Sequence, residues 1–354
     1  MYESIIRIIL PMIWAFLISV YAIPSIVQVA HKKKILDEPN DRTIHEYLTP
    51  RLGGLAIFAG FISALTIFGK IDFGIQHMLA GSVIIFFIGL KDDIVSVSAF
   101  KKFFVQILAT AIIIFVADIR ITSFQGILGI ETLDVGLSYM FTFMVIIGIT
   151  NALNLIDGLD GLAGSIVSVC CISFGIYFST VDDKSYSAYA SVAFSLLGSM
   201  IGFLRYNIYK AKIFMGDTGS LVCGFIIAVL AIKFVEMKTI SNAPTIAIAI
   251  LFIPIIDTAR VFVLRILAGK SPFSPDKNHI HHKLIDIGFS QLSTVFILVV
   301  LNVMAIGLAN LFDNLTLTSQ IILLVSYAIL LSLIIELSAF LKKANSIKNE
   351  QGTI

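Results

Sequence analysis

The sequence has little charge. Of its 354 residues, 14% are charged and 58% are hydrophobic, and the mean hydropathy is +0.97. A soluble domain carries about 25% charged residues. The composition therefore excludes an ordinary soluble domain and indicates an all-α, polytopic integral membrane protein, with a single membrane domain over residues 1–354. The net charge of +2 says little about partners, and no nucleic-acid partner is expected.

Cysteine and the common catalytic motifs are also scarce. The three cysteines, Cys170, Cys171 and Cys223, lie in apolar runs without the spacing of a metal site. They are predicted to be packing residues. The sequence contains no P-loop, no GxGxxG motif and no evident Ser/His/Asp triad. We therefore look for chemistry in the polar stretches between the apolar runs.

The apolar runs predict the membrane topology. A spanning helix needs roughly 20 mostly apolar residues, and by that criterion the chain has about eleven spans (ten to eleven). The first run is too long for a signal peptide and lacks a small-residue cleavage site. The predicted spans lie near residues 5–30, 52–69, 75–91, 103–119, 137–155, 161–180, 187–205, 217–235, 244–264, 291–312 and 317–340.

The basic residues predict the orientation. Lysine and arginine accumulate in the cytoplasmic loops of membrane proteins. If the N-terminus lies outside, 19 of the 25 lysines and arginines fall on the cytoplasmic side, together with the C-terminus. All chemically rich stretches then face the cytoplasm, and we expect the active site there. These stretches are residues 31–54, 91–102, 151–161, 205–220 and 265–290.

The most distinctive polar stretch is NALNLIDGLDGLAGS, residues 151–165. Asn151 and Asn154 stand three residues apart, and Asp157 and Asp160 follow at the same spacing. On a helix or tight turn this spacing keeps side chains on one side. Polar groups beside membrane-spanning sequence are costly and usually functional or paired. A plain polar loop is the alternative, but it does not require four spaced amides and carboxylates.

Two earlier stretches carry complementary charges. Asp92 and Asp93 are adjacent carboxylates at the end of the third span. They repel each other unless a cation lies between them or one is protonated, and magnesium is a suitable cation. In the first loop, Arg42, His45 and Arg51 are candidates to contact phosphate. The plain alternatives are a solvated helix end and a positive-inside anchor.

Two later stretches complete the set. Asp217, in FMGDTGS, precedes an apolar helix, where it suits either a metal site or a helix N-cap. Asn207, ten residues earlier, adds an amide. Three of the six histidines, His279, His281 and His282, follow in SPFSPDKNHIHHKL. Because no cysteine is nearby, we favour contact with substrate phosphate or sugar over zinc. A solvated basic loop is the alternative.

Together these loops supply carboxylates for a hard metal, cations for phosphate and amides for a polar ligand, all beside lipid. They indicate metal-assisted phosphoryl chemistry at the membrane surface. The substrates would be an anionic nucleotide and a lipid. A CDP-alcohol phosphotransferase is an alternative, although its motif is not found. A transporter is another, but transporter sites lie near the bilayer midplane.

With these motifs in their order, the chain resembles the polyprenyl-phosphate N-acetylhexosamine-1-phosphate transferases, which are of glycosyltransferase family 4 type. It is most similar to the bacterial undecaprenyl-phosphate GlcNAc-1-phosphate transferases. The His-x-His-His spacing of residues 279–282 resembles that branch. The phospho-MurNAc-pentapeptide transferases, a more distant branch, remain an alternative. The resemblance covers about residues 30–290 and departs from the family pattern at Ser96, Thr43 and Lys210.

The resemblance implies roles for individual residues. Asp217 would ligate Mg²⁺, with Mn²⁺ as a substitute, and Asp92 and Asp93 would bind the metal or deprotonate the lipid phosphate. Asn154 would support the metal. The remaining substrate-contacting candidates are Asn151, Asp157, Asp160, Asn207, His279, His281, His282, Arg51 and Lys102.

The resemblance also implies a reaction. Undecaprenyl phosphate would attack a UDP-N-acetylhexosamine, with GlcNAc as the default sugar, giving a lipid-diphosphate sugar and UMP. This would be the first membrane step of a cell-envelope polysaccharide such as teichoic acid or O-antigen. The protein would lie in the bacterial cytoplasmic (inner) membrane, and a homodimer is a family-level expectation.

Overall fold

The computed structural model describes residues 2–36, 48–72, 74–181, 183–271 and 278–351. Arg42 and His45 of the first loop, and the segment 272–277 before the histidines, lie outside the described residues. The described chain forms thirteen α-helices and one two-stranded antiparallel hairpin. This confirms the all-α, polytopic membrane class predicted from composition.

Nine helices in the described part of the chain are long and apolar enough to cross a membrane. They are α1 (Tyr2–Lys33), α3 (Ile75–Ile94), α4 (Ala99–Ala111, continued by a π-helical turn at Ile112–Val116), α5 (Val135–Leu155), α6 (Leu162–Thr180), α7 (Lys184–Asn207), α8 (Gly216–Glu236), α12 (Gln291–Leu311) and α13 (Leu317–Gln351). The other elements are α2 (Gly53–Phe68), α9 (Ala243–Ile250), α10 (Phe252–Leu267), α11 (Ile280–Ile287), β1 (Ser123–Ile127) and β2 (Ile130–Thr132).

Each of the eleven predicted spans coincides with one apolar helix or with the α9–α10 pair. Helix α2 has 16 residues, fewer than the roughly 20 that a full crossing needs. The number of crossings and the side on which each terminus lies therefore stay predictions. The hairpin and α11 were not predicted, because neither has the long apolar run that identifies a span.

The span predicted at 244–264 is broken. Helices α9 and α10 meet at Leu251 with a bend of 73°. Pro254 in the first turn of α10 has no backbone N–H, and its ring excludes the carbonyl four residues earlier from a straight helix. Asn302 of α12 satisfies the backbone at the break: its amide donates to the Ile250 carbonyl at 3.0 Å and accepts from the Ile253 N–H at 3.0 Å. Such breaks are tolerated at membrane depth when protein satisfies the freed groups.

Helix α8 lies at the centre of the bundle. It packs against α2, α3, α5, α6, α7 and α9, and almost all its side chains are buried. Glycines allow two of these helices to approach its N-terminus closely. A Cβ on Gly54 of α2 would lie 2.2 Å from the Gly219 nitrogen, and one on Gly89 of α3 would lie 2.6 Å from the Thr218 Cα. The carboxylates that follow Gly89 are thereby placed beside the first turn of α8.

The end of the first loop is held by backbone pairing. The Phe214 N–H donates to the Pro50 carbonyl at 2.8 Å, and the Gly53 N–H donates to the Phe214 carbonyl at 2.8 Å. The Gly54 N–H donates to the Met215 carbonyl at 2.9 Å. These bonds place Arg51 next to the start of α8. The three cysteines are free and buried, in agreement with the packing role predicted for them.

We expect Gly89→Ala to lower the melting temperature of the protein in detergent. The new methyl group would overlap backbone atoms of α8, and overpacking of this kind costs about 1–3 kcal/mol. Gly307→Ala is the matched control, since a Cβ there meets no atom within 4 Å and alanine favours helix. Thermal unfolding followed by fluorescence measures both. Equal melting temperatures for the two variants would contradict the close α3–α8 contact.

Candidate active site

The first carboxylate of the site, Asp92, lies in the last turn of α3. Its Oδ1 accepts from the Val97 N–H at 2.7 Å, which fixes the chain as it turns toward α4. Its Oδ2 accepts from the Lys102 ammonium at 3.2 Å. The loop after α3 therefore orients the Asp92 carboxylate, and its Oδ2 contacts Lys102 of α4.

Asp93 is directed at the N-terminus of α8. The first N–H groups of a helix have no intrahelical partner. Helix α8 begins after Met215, which supplies no side-chain cap. Asp93 takes that place from another helix: it accepts from the Asp217 N–H at 2.8 Å, from the Thr218 N–H at 2.9 Å and from the Thr218 hydroxyl. Both Asp93 oxygens are thus engaged by the helix that carries Asp217.

Asp217 is the centre of the polar cluster. Its Oδ2 accepts from the Lys102 ammonium at 2.7 Å, so one lysine bridges Asp217 and Asp92. Its Oδ1 accepts from the Asn154 amide nitrogen at 3.3 Å. The same nitrogen lies 2.8 Å from the Ser220 hydroxyl, one turn further along α8. As placed, Asn154 presents its nitrogen rather than its oxygen to Asp217, so it orients that carboxylate.

Asn151, one turn before Asn154 on α5, forms a reciprocal amide pair. Its nitrogen donates to the Gln106 Oε1 at 2.7 Å and to the Ile147 carbonyl at 2.8 Å, and its oxygen accepts from the Gln106 nitrogen at 3.3 Å. Gln106 lies one turn beyond Lys102 on α4. The pair therefore connects α5 to the helix that carries the bridging lysine.

Asn207 and Asp160 hold the turn between α5 and α6. The buried Asn207 accepts from the Gly161 N–H at 2.8 Å and donates to the Ile213 carbonyl at 2.9 Å. Asp160 accepts from the Ala211 N–H at 3.1 Å. Gly161 has φ +79°, a conformation that favours glycine. Both polar atoms of Asn207 bond to backbone groups, so Asn207 stabilises this turn.

Asp157 occupies the same turn and is affected by the other charges. Burial, followed by the negative charges of Asp217 and Asp93, raises the pKa of the Asp157 carboxyl well above its ordinary value. The positive charge of Arg51 opposes this shift and lowers that pKa. Asp157 therefore holds a proton more readily than a free aspartate, and Arg51 lies close enough to interact with it.

The histidine segment lies against this turn. The His281 ring contacts those of His279 and His282, with centroid distances of 5.6 Å and 4.4 Å. A Cβ on Gly158 would lie 2.9 Å from the His281 Nε2. Burial lowers the pKa of His281 to about 3, so its imidazole is neutral at physiological pH. Among the described residues its buried Nε2 has no hydrogen-bond partner.

Asp257 of α10 anchors the histidine segment. Its carboxylate lies 2.8 Å from the His279 Nδ1 and accepts from the Ile280 N–H, the first of α11, at 2.7 Å. Arg260, one turn further along, donates to the Asn278 carbonyl at 2.6 Å and forms an ion pair with Glu336 of α13. The histidines are thus held by the bent α9–α10 span.

The structure places those predicted site residues that it describes in the turns and helix ends around the start of α8 and in the histidine segment, whereas Arg42 and His45 lie outside the described residues. Lys102, Asp92, Asp217 and Asn154 form the directly bonded set. Three residues that hold the site were not predicted: Asp257, Gln106 and Ser220. Asp257 had a signal, since a carboxylate inside an apolar span is costly and usually functional or paired. Gln106 and Ser220 had none.

Two carboxylates of the cluster are candidates to hold a magnesium ion. Asp92 and Asp217 converge on the Lys102 ammonium, so the space between them already holds a positive charge. In the described ranges, no three His, Cys, Asp or Glu side chains form a group that could hold a metal. Magnesium usually takes one or two carboxylates together with waters and substrate phosphates. Asp217 and Asp92 would hold it here, whereas the Asp93 oxygens are engaged by α8.

Comparison with known proteins identifies the family. Residues 75–235, which contain every carboxylate of the site except Asp257, match the model of glycosyl transferase family 4. A probable undecaprenyl-phosphate N-acetylglucosaminyl 1-phosphate transferase of Bacillus subtilis is 36% identical over 299 residues, covering 84% of this chain and 82% of the relative. The chain therefore belongs to this family, and the resemblance inferred from its motifs is confirmed.

Other relatives have related names. A decaprenyl-phosphate N-acetylglucosaminephosphotransferase of Mycobacterium tuberculosis is 30% identical over 324 residues, covering 84% of this chain and 80% of the relative. The undecaprenyl-phosphate alpha-N-acetylglucosaminyl 1-phosphate transferase of Escherichia coli K12 is 29% identical over 282 residues, covering 77% and 75%.

We expect Gly158→Ala to reduce activity while leaving the fold intact. The backbone at Gly158 is not in the left-handed region, but the added methyl group would press on the His281 ring, which also contacts the rings of His279 and His282. Turnover measured at a matched amount of folded protein should fall at least about tenfold, since even a small misplacement of residues that position a substrate can be costly. Unchanged turnover would show that the His281 position is unimportant.

We expect Asp257→Ala to destabilise the protein by about 1–3 kcal/mol, because it leaves the buried His279 Nδ1 and Ile280 N–H without their acceptor. Asp286→Ala is the control, since Asp286 is an exposed carboxylate of the same histidine-bearing helix. Chemical or thermal unfolding in detergent measures the difference. Equal stabilities would contradict the anchoring role of Asp257.

Proposed function

We propose that this protein transfers an N-acetylhexosamine 1-phosphate, with GlcNAc 1-phosphate as the first choice, from a UDP-sugar to undecaprenyl phosphate and releases UMP. The names of its relatives support a polyprenyl-phosphate sugar-phosphate transferase. The nucleotide sugar, the metal and the lipid are our inference from the site.

The observation that carries the proposal is that one helix, α5, lines both a polar cluster and an apolar cavity. Asn154 contacts Asp217, and Asn151 pairs with the helix of Lys102. Gly148, Ile149 and Ala152 line the cavity. A transferase that joins a water-soluble anionic donor to a lipid acceptor requires these two environments side by side.

The cavity suits a polyprenyl chain. Its volume is about 560 Å³, and apolar side chains of α5, α8, α9, α10 and α13 and of the hairpin form most of its wall. The lining positions on α5 run from Phe141 to Ala152, about 16 Å along a helix. Met144, one of them, is exposed on the outer surface of the bundle, where the bilayer would lie. A polyprenyl chain in this cavity would place its phosphate near Asn151, at the end of the cavity beside the polar cluster.

The polar cluster suits the phosphate chemistry. A magnesium ion held by Asp217 and Asp92 would neutralise the diphosphate and the departing UMP. Arg51 and Lys102 would contact substrate phosphates, and the histidine segment would contact the diphosphate or the sugar. Asn154 and Asp93 would keep Asp217 in place through its carboxylate and its backbone N–H, respectively.

The phosphate of undecaprenyl phosphate, which is the attacking group, needs little activation. A phosphate monoester has a second pKa near 6 and is largely dianionic at neutral pH. The protein would therefore act mainly by positioning the lipid phosphate in line with the sugar-linked phosphorus and by stabilising charge. The oxygens of both Asp92 and Asp93 already accept hydrogen bonds, so neither carboxylate is a free base as placed. Asp157, in the turn between α5 and α6, would contact the nucleotide.

The charge distribution supports a cytoplasmic site. The loops that form the cluster also contain most of the lysines and arginines, as expected for the inner side of a bacterial cytoplasmic membrane. UDP-sugars are cytoplasmic metabolites, so this orientation gives the donor direct access. The product would prime a cell-envelope polymer such as teichoic acid or O-antigen, and a homodimer remains a prediction.

The test is UMP release by protein purified in detergent, supplied with undecaprenyl phosphate, Mg²⁺ and a panel of nucleotide sugars. We expect UMP only when both lipid and metal are present, with UDP-GlcNAc as the best donor. Asp217→Asn should lower turnover by at least about 10²-fold, the typical cost of losing one charge-stabilising group. Asp313→Asn, which changes an exposed carboxylate in the loop between α12 and α13, should not.

Several outcomes would overturn the proposal. Near-normal turnover by Asp217→Asn would show that Asp217 is not a metal ligand required for the reaction. Preference for UDP-MurNAc-pentapeptide would assign the protein to the peptidoglycan branch. Release of CMP from a CDP-alcohol, with no UMP from any UDP-sugar, would replace the reaction altogether.

A further inference from the structure

Lys102 occupies the position that the proposed metal needs. Its ammonium lies 2.7 Å from the Asp217 Oδ2 and 3.2 Å from the Asp92 Oδ2. The two carboxylates come from α8 and α3, and the lysine from the first turn of α4. All three side chains are partly buried, with 17–25% of their surface exposed. The ammonium is therefore the cation that allows these carboxylates to approach each other.

A lysine and a divalent cation cannot share this position. Magnesium binds carboxylate oxygens at about 2.0–2.1 Å, so an ion between Asp92 and Asp217 would nearly overlap the ammonium. In a partly buried site the repulsion between a unit charge and a divalent ion at such a separation is large. One cation must leave before the other binds.

We propose that Lys102 is a tethered competitor of the divalent cation. In the substrate-free protein its ammonium holds the carboxylate pair and weakens metal binding. When the metal arrives with the nucleotide diphosphate, the ammonium is displaced and binds the phosphate oxygens instead. This inference rests on the metal site of the proposed function and adds a reason for metal and donor to bind together.

The chemistry of lysine suits such an exchange. Its ammonium is a compact charge on a flexible four-carbon stem. The charge can thus move between neighbouring anions while α4 stays in place. An arginine would hold the carboxylate with a rigid, bidentate fork and would exchange less readily.

The exchange predicts that the binding of the metal and the binding of the nucleotide-sugar donor are coupled. A phosphate-bearing donor offers the displaced ammonium a new partner, so the donor should tighten metal binding. By thermodynamic reciprocity, the metal should tighten donor binding by the same factor. Removing the ammonium should raise the affinity for metal in the absence of donor and reduce the coupling.

The experiment measures Mn²⁺ binding to substrate-free protein in detergent by electron paramagnetic resonance. Lys102→Met is the test variant, and Lys102→Gln is a second uncharged variant in case the first fails to fold. Lys101→Met is the matched control, because it removes the same charge from the same turn and Lys101 is exposed. Asp217→Asn reports whether Mn²⁺ binds at this site.

We expect Lys102→Met and Lys102→Gln to bind Mn²⁺ at least about tenfold more tightly than the wild type, as removal of a nearby positive charge requires. Lys101→Met should resemble the wild type. Added UDP-GlcNAc should tighten Mn²⁺ binding to the wild type and have a smaller effect on the Lys102 variants. A variant that was merely damaged would not gain affinity.

The failures can be told apart. If Asp217→Asn abolishes Mn²⁺ binding but the Lys102 variants bind no more tightly than Lys101→Met, the competition is disproved and the metal site stands. If Mn²⁺ binds none of the folded proteins, or binds independently of Asp217, the metal site of the proposed function fails, and this inference fails with it.

Discussion

The site depends on a carboxylate of one helix that binds the first N–H groups of another. Asp93, at the end of α3, takes the place of a local cap at the start of α8. Because the N-terminus of a helix carries partial positive charge, a carboxylate is favoured there. The contact requires the closely packed backbones that Gly54 and Gly89 permit. It fixes Asp217, and through Asp217 the positions of Lys102 and Asn154.

The arrangement also shows how a membrane protein builds a polar site. Between helices surrounded by lipid there is little hydrophobic driving force, so packing and interhelical hydrogen bonds carry more of the stability. The amide pair of Asn151 and Gln106, and Asn302 at the break between α9 and α10, are such bonds. The break directs α10 so that Asp257 reaches the histidine segment, while Ile255 on the same helix lines the apolar cavity.

The sequence predicted the apolar helices, but it did not predict the contacts that the candidate residues make. In the described part of the chain, the apolar runs predicted each helix that is long and apolar enough to cross a membrane, because hydropathy is a property of neighbouring residues. Hydropathy did not predict the hairpin or the short helix α11, because neither contains a long apolar run. Asp93 was expected to bind metal or act as a base, and the structure directs it to α8. Asn207 was expected near the nucleotide, and both of its polar atoms are used within the protein.

The amino-acid sequence by itself determined the membrane class, the approximate spans and the set of polar stretches, because these follow from composition and local periodicity. The tertiary structure alone decided that one lysine lies between Asp92 and Asp217, that Asp257 holds His279, and that α5 lines a cavity beside the polar cluster. The physical reason is that each of these depends on distances between residues far apart in the chain, which only the packing of the helices sets.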